Sequence, residues 1–254
     1  YVYDAMGRMT DILDPSAATL AHYDYDPLSR RIAQTLGNGT TTTWTHELDD
    51  DVATLQHAFT GESVTFAYAY DGVHRQTSVD VDDARFLFDA ALDATTPYVP
   101  NALNQYATVG AATLSWDANG NLASDGTTAL VHDAANRLVQ ATTPLGTTTY
   151  AYDAFGRRRE KNVAGTVTRF VYDANRVLVE TDGAGATQRR YVYGPDIDEP
   201  LLMTAGASTF YYHSDMLGSV VALSDASGAL AETYAYDPHG RVGNAGSAGS
   251  RELV

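Results

Sequence analysis

Apolar and polar residues alternate with a period of two along most of this chain. Tyr150-Ala151-Tyr152 puts large side chains on one face of an extended segment. Arg137-Leu138-Val139-Gln140-Ala141-Thr142 continues after a bend with β-branched and apolar residues. Short groups rich in Asp, Gly, Asn and Pro separate such stretches, and these residues bend the chain for known stereochemical reasons. The pattern predicts many short strands. No convincing helix emerges, the most helix-like stretch running from Ala84 to Ala94 with acids leading it.

The bends repeat. One phrase, aromatic-Asp-x-x-Gly/Asn-Arg, occurs as Tyr3-Asp4-Ala5-Met6-Gly7-Arg8, Tyr25-Asp26-Pro27-Leu28-Ser29-Arg30 and Tyr70-Asp71-Gly72-Val73-His74-Arg75. It returns as Trp116-Asp117-Ala118-Asn119-Gly120-Asn121, His132-Asp133-Ala134-Ala135-Asn136-Arg137 and Tyr152-Asp153-Ala154-Phe155-Gly156-Arg157. Tyr172-Asp173-Ala174-Asn175-Arg176 and Tyr236-Asp237-Pro238-His239-Gly240-Arg241 complete the set. Clean copies lie about 16 to 20 residues apart, and worn copies account for the wider gaps. Second bends fall between them, at Gly37-Asn38-Gly39, Asp125-Gly126, Leu145-Gly146, Ala164-Gly165 and Asp182-Gly183-Ala184-Gly185. Two bends per period mean two strands per unit, an antiparallel up-and-down meander.

Each residue of the phrase has a structural reading. The Asp side chain can bond the backbone two residues on, and Gly156, with Asn136 as a tolerable substitute, supplies positive φ for a short loop. Stacked hairpins would bring the Tyr of one copy near the Tyr of the next, and the Arg onto a neighbouring ring. This reading assigns no catalytic residue to the phrase.

Composition agrees with sheet and narrows the chemistry. Tyr numbers 17 against 7 Phe and 2 Trp, which suits a pleated, half-buried surface. The 44 % apolar content over 254 residues is that of a folded domain. With 32 acidic against 16 basic residues, the net charge of −16 argues against nucleic acid and anionic membrane surfaces as partners. Without cysteine there are no disulfides or thiolate metal sites. No apolar run reaches the length of a membrane-spanning helix, and the opening Tyr1-Val2-Tyr3-Asp4 reads as starting within a longer polypeptide.

Other candidate chemistry is weaker. His213-Ser214-Asp215 offers the members of a catalytic triad, but adjacent strand residues face opposite ways and would not converge. The histidines, His22, His46, His57, His74, His132, His213 and His239, lack zinc-ligand spacing, so no metal site is expected from them. Asp49-Asp50-Asp51 and Asp80-Val81-Asp82-Asp83 lack the Gly and distal Glu of a calcium loop and read as solvated turns. Gly194-Pro195-Asp196-Ile197-Asp198-Glu199-Pro200 reads as a charged loop. The Gly-rich stretches have no phosphate-loop context, and no cofactor is implied.

The repeated phrase resembles the YD or Rhs repeats of bacterial polymorphic toxins, insecticidal toxin-complex shells and teneurins. Tyr191-Val192-Tyr193-Gly194-Pro195, Tyr211-Tyr212-His213-Ser214-Asp215-Met216-Leu217-Gly218-Ser219-Val220 and Tyr234-Ala235-Tyr236-Asp237-Pro238-His239-Gly240 resemble the start of the Rhs repeat-associated core. The resemblance implies an antiparallel β-hairpin ribbon that curves or spirals into a shell, in a secreted or cell-surface protein, often around a toxin cargo. It also implies, in many relatives, a self-cleaving core with aspartates in paired Asp-Pro-x-Gly elements, of which only Asp237-Pro238-His239-Gly240 is present here. Ten repeats would make a ribbon roughly 95 Å wide, closing at about 30 Å across, too narrow for a 100-residue toxin domain. The expectation is therefore a non-catalytic wall section over residues 1–242, core-like from 191, with a Gly/Ser/Ala-rich linker over 243–254. Partners implied are the chain's own flanking regions or a toxin cargo. A filament or adhesion module, self-associating through edge strands and touching glycans, is the alternative, and part of an aspartic self-cleaving core is a second.

Overall fold

Asp and Gly punctuation cuts the chain into strands of two to eight residues, and a computed structural model describes residues 1–88, 95–237 and 240–243. The described residues are strands and loops apart from one short 3-10 turn, and every pairing among them is antiparallel and between sequence neighbours. The fold is all-β hairpin repeat. The chain divides into two compact units, one built from residues 1–90 and 191–254, the other from 91–190.

In the first unit an eight-stranded sheet follows chain order. Its strands are Val2–Tyr3, Met9–Leu13, Thr19–Tyr25, Arg31–Leu36, Thr41–His46, Val52–Ala58, Ser63–Tyr70 and Gln76–Val81. Four further strands of the same unit, Pro200–Ala205, Ser208–Ser214, Val220–Asp225 and Leu230–Thr233, pair consecutively. Alternation buries one face of each set, and the buried faces share cores. Leu55, Val64 and Phe66 pack with Val221 and Ala222, while Ile12, Tyr23 and Leu36 pack with Leu201 and Leu202. Each Leu, Ile, Val or Phe among them contributes about 1.5–3 kcal/mol when fully buried. Asn38 adds a polar clasp, its Nδ2 donating to Ser224 Oγ at 2.9 Å and to the Asp225 carbonyl at 2.7 Å.

The helix-like stretch forms a 3-10 turn over Ala84–Phe86 only, with Asp83 accepting from the Arg85 N–H and Leu87 already extended. Phe86, the last residue of the turn, is buried edge-on against Phe66, ring centres 5.9 Å apart. The remainder of the stretch, 89–94, lies outside the described residues.

The second unit begins with a three-stranded sheet, Tyr98–Pro100, Tyr106–Val109 and Ala112–Thr113. A meander follows, through Leu138–Thr143, Gly146–Tyr152, Arg158–Val163, Thr166–Asp173 and Arg176–Asp182. Most of its side chains are half-buried, with Val177 and Glu180 the buried exceptions among the described residues of 91–190. Cross-strand pairs hold such a layer. Glu160 and Arg169 are register partners joined at 3.0 Å, and Glu180 and Arg189 are partners joined at 2.6 Å.

Candidate functional site: capped loops and an acidic cleft

The repeated phrase builds one loop. At Asp153 the backbone N–H donates to the Arg157 carbonyl at 2.9 Å, and the Gly156 N–H donates back to the Asp153 carbonyl at 3.1 Å. Oδ1 accepts from the N–H of Phe155 and of Arg157, both at 2.9 Å, and Oδ2 from Arg157 Nε at 2.7 Å. Gly156 closes the turn at φ 82°. A single carboxylate thus satisfies the donors that a tight hairpin leaves over.

The same bonds recur at Asp4, Asp26, Asp71 and Asp133, with Gly7, Ser29, His74 and Asn136 at positive φ and Arg8, Arg30, Arg75 and Arg137 on Oδ2. Asp117 does likewise with Gly120 and Asn121, which stands in for the arginine. A hydrogen bond from the fourth residue on holds the carboxyls of Asp71, Asp117 and Asp133 below the ordinary value. At Asp153 burial pushes upward, but the Arg157 backbone and side chain outweigh it and the carboxyl is lowered.

Arginine and tyrosine then join one copy to the next. Arg8 lies over Tyr25 at 4.8 Å, Arg137 over Tyr152 at 4.9 Å and Arg157 over Tyr172 at 4.9 Å. The tyrosine hydroxyls reach the carbonyl just past the preceding loop. Tyr25 donates to Met9, Tyr152 to Leu138, Tyr172 to Arg158 and Tyr236 to Val220, each at 2.7 Å, and Tyr70 to Val52 at 3.0 Å. The expected stacking of Tyr upon Tyr is replaced by this arrangement among the described copies. The arginine occupies the ring face, and the hydroxyl, too costly to bury unpaired, takes a carbonyl.

Several loops escaped the phrase. Asp14, Asp182, Asp215 and Asp225 cap the same loop without the arginine, and Asn101 caps it with an amide. Glu47 to Asp51 closes by backbone bonds alone, with Asp50 at φ 76°. Asp in register with a positive-φ residue three places on was the signal, more general than the phrase. In the opposite sense Tyr172-Asp173-Ala174-Asn175-Arg176 is one residue short, so Asp173 pairs directly with Arg176 across a two-residue loop. Asp237 follows the common pattern, Oδ1 accepting from the Arg241 N–H at 2.8 Å and Oδ2 from its Nε at 3.2 Å, with Gly240 at φ 81°. Pro238, His239 and the 244–254 part of the predicted linker lie outside the described residues.

His213, Ser214 and Asp215 do not form a triad. The buried His213 Nε2 bonds Ser224 Oγ at 2.8 Å, and Asp215 caps its own loop. Ser224 is fully enclosed, which denies a substrate any approach to that pair. His57 lies beside His213 with ring centres 5.2 Å apart, bonded through Nδ1 to Thr42 Oγ1 at 2.9 Å. Burial pushes both imidazoles down, His57 to about 3. Asp49 and Asp51 of one loop and His74 of another bring ligand-type atoms within 4.8 Å of one another, but Asp49 and His74 are exposed and His74 is already paired to Asp51 at 2.8 Å.

One cleft in the first unit gathers polar groups around a volume of about 420 Å³. Arg31 borders it, paired to Glu199 at 2.7 Å and Asp196 at 3.0 Å and lying over Tyr23 at 4.5 Å. Trp44, Tyr212 and Asp215 complete its aromatic and acidic wall. Burial raises the Asp215 carboxyl despite the loop N–H groups that favour its charge.

This architecture defines a β-hairpin repeat protein in which an Asp-capped loop is the recurring unit. Residues 132–163 match the RHS Repeat family. The chain is 33% identical over 186 residues to the tRNA3(Ser)-specific nuclease WapA of Bacillus spizizenii and 31% identical over 186 residues to the tRNA nuclease WapA of Bacillus subtilis strain 168. Each alignment covers 70% of this chain but only 8% of the relative. The fold is similar to that of the Photorhabdus luminescens Tc holotoxin pore bearing a TccC3 variant, with a TM-score of 0.63 and 14% identity over 96% of this chain and 17% of the other. A crystal structure of TcdB2-TccC3-Cdc42 gives 0.64 and 13% over the same shares. The chain belongs to the Rhs/YD-repeat proteins.

Proposed function

We propose that this chain is a non-catalytic section of an Rhs-type β wall, from a longer secreted or surface bacterial protein, that encloses or presents an effector. One observation carries the reading: the phrase aspartates and arginines close the loops, and arginines and tyrosines of successive copies tie the loops together. Asp237 fits this too, since it caps its loop as Asp4 and Asp153 do. Nuclease activity belongs by name to relatives of which this chain spans 8%, and we assign it to their remaining length. The net charge of −16 opposes tRNA binding by this segment. Residues 1–242 form the wall in this reading and 243–254 lead out of it.

The test compares the purified chain with its parent polypeptide. The chain alone should leave a pool of tRNA intact. In the parent, the downstream effector should resist protease while the wall is folded and be digested once it is unfolded. Cleavage of tRNA by the chain alone, or an effector equally digestible in both states, overturns the proposal.

A further inference from the structure

The cleft of the first unit contains a capping carboxylate without the partner that the repeat elsewhere supplies. In the loops of Asp4, Asp26, Asp71, Asp133 and Asp153 the fourth residue on is an arginine bonded to Oδ2. At Asp215 that position is Ser219, whose short side chain bonds the carboxylate in place of a guanidinium, and Oδ1 takes the N–H of Leu217 and Ser219, each at 2.9 Å. Asp14, Asp182 and Asp225 also lack an arginine, but the hydroxyls of Ser16 and Ser227, with loop N–H groups, keep the carboxyls of Asp14 and Asp225 lowered. Asp215 alone of these borders the 420 Å³ cleft, and burial raises it. Arg31, the cation of the cleft, is already committed to Glu199 and Asp196. Asp198 adds a further carboxylate, while His46 and His57 are both pushed toward the neutral form by burial.

We propose that the cleft binds the guanidinium of an arginine presented by an extended peptide, which supplies to Asp215 the group that the other repeats supply internally. A guanidinium suits the site better than an ammonium, because it bonds a carboxylate in its own plane and packs on rings, as Arg31 already does over Trp44 at 5.8 Å in the same cleft. The volume falls within the roughly 300–1,000 Å³ typical of small-ligand clefts.

The probe is the peptide acetyl-Gly-Arg-Gly-amide, titrated into the full chain at low salt by calorimetry and by the Trp44 indole N–H resonance. Saturable binding with Kd below about 1 mM is expected, with the isosteric citrulline peptide and the lysine peptide at least about tenfold weaker. Asp215→Asn should weaken binding about tenfold while keeping the loop, since Asn101 caps the same loop. Asp225→Asn, a cap outside the cleft, should leave it unchanged. Ser219→Arg restores the internal arginine and should abolish binding, and it decides alone if Asp215→Asn loses its fold. Absence of saturable binding, equal affinity for citrulline or lysine peptide, or an unaltered Kd in Ser219→Arg overturns the proposal.

Discussion

At the residue scale, the fourth loop position separates conformational cost from packing cost. A Cβ added to Gly156, at φ 82°, would meet nothing within 4 Å. Gly156→Ala therefore carries only the left-handed backbone penalty, about 1–2 kcal/mol, readable by urea unfolding. Asn136 at φ 61° already bears a tolerated side chain, so Asn136→Gly should change stability far less. Equal effects at the two sites would contradict this account. The preference for Gly, Asn, Ser or His at this position is thus a backbone requirement that the sequence displays openly, and it made the loops legible one by one.

At the scale of the element, a tyrosine and an arginine from successive copies share one ring. Tyr152→Phe removes the hydroxyl bond to Leu138 and should cost about 0.5–1.5 kcal/mol. Arg137→Ala removes the guanidinium over that same ring, and a double-mutant cycle of Arg137 with Tyr152→Leu should give a coupling of about 0.5–1 kcal/mol. A cycle with Tyr172→Leu, the next copy along, should give nothing, because Arg157 covers that ring. The arginine on the next ring was anticipated from spacing alone. The hydroxyl-to-carbonyl bond was not, because no residue type marks a backbone acceptor. Asp49 to Asp51 marked a turn, but not how it closes, because the loop from Glu47 to Asp51 is closed by main-chain groups that any sequence carries. Less legible still was the joining of the first 90 residues to the strands beyond 191. Asn38 to Ser224 and Arg31 to Glu199 span most of the chain, and no local pattern records such a meeting.

For the molecule as a whole, acid should act first through the enclosed histidines of the first unit and only later through the loop carboxylates. His57 and His213 are neutral in the fold and held below the ordinary value of 6.5 by burial, whereas an unfolded chain protonates them near 6.5. Stability is therefore complete above about 6.5 and falls as pH drops below it, by about 1.4 kcal/mol per pH unit for each imidazole kept neutral. For His57 this continues until pH approaches about 3. His22 and His74 act in the other direction. Bonds to Asp11 and Asp51 raise them, so their contribution is present at low pH and lost as pH rises through their folded values. Both pairs are exposed enough for solvent to weaken that effect. The lowered carboxyls of Asp71, Asp133 and Asp153 contribute above their unfolded value and lose that contribution only as pH falls through the folded one, below about 4. Thermal unfolding followed from pH 7.5 to 5 should show a falling Tm while these carboxylates are still charged. His213→Gln keeps a polar group beside Ser224 but cannot take up the proton, and it should flatten that slope, one of the two enclosed imidazoles being gone. A wild-type Tm that is level across this range, or a slope unchanged in His213→Gln, would show that the buried pair does not govern the response to acid.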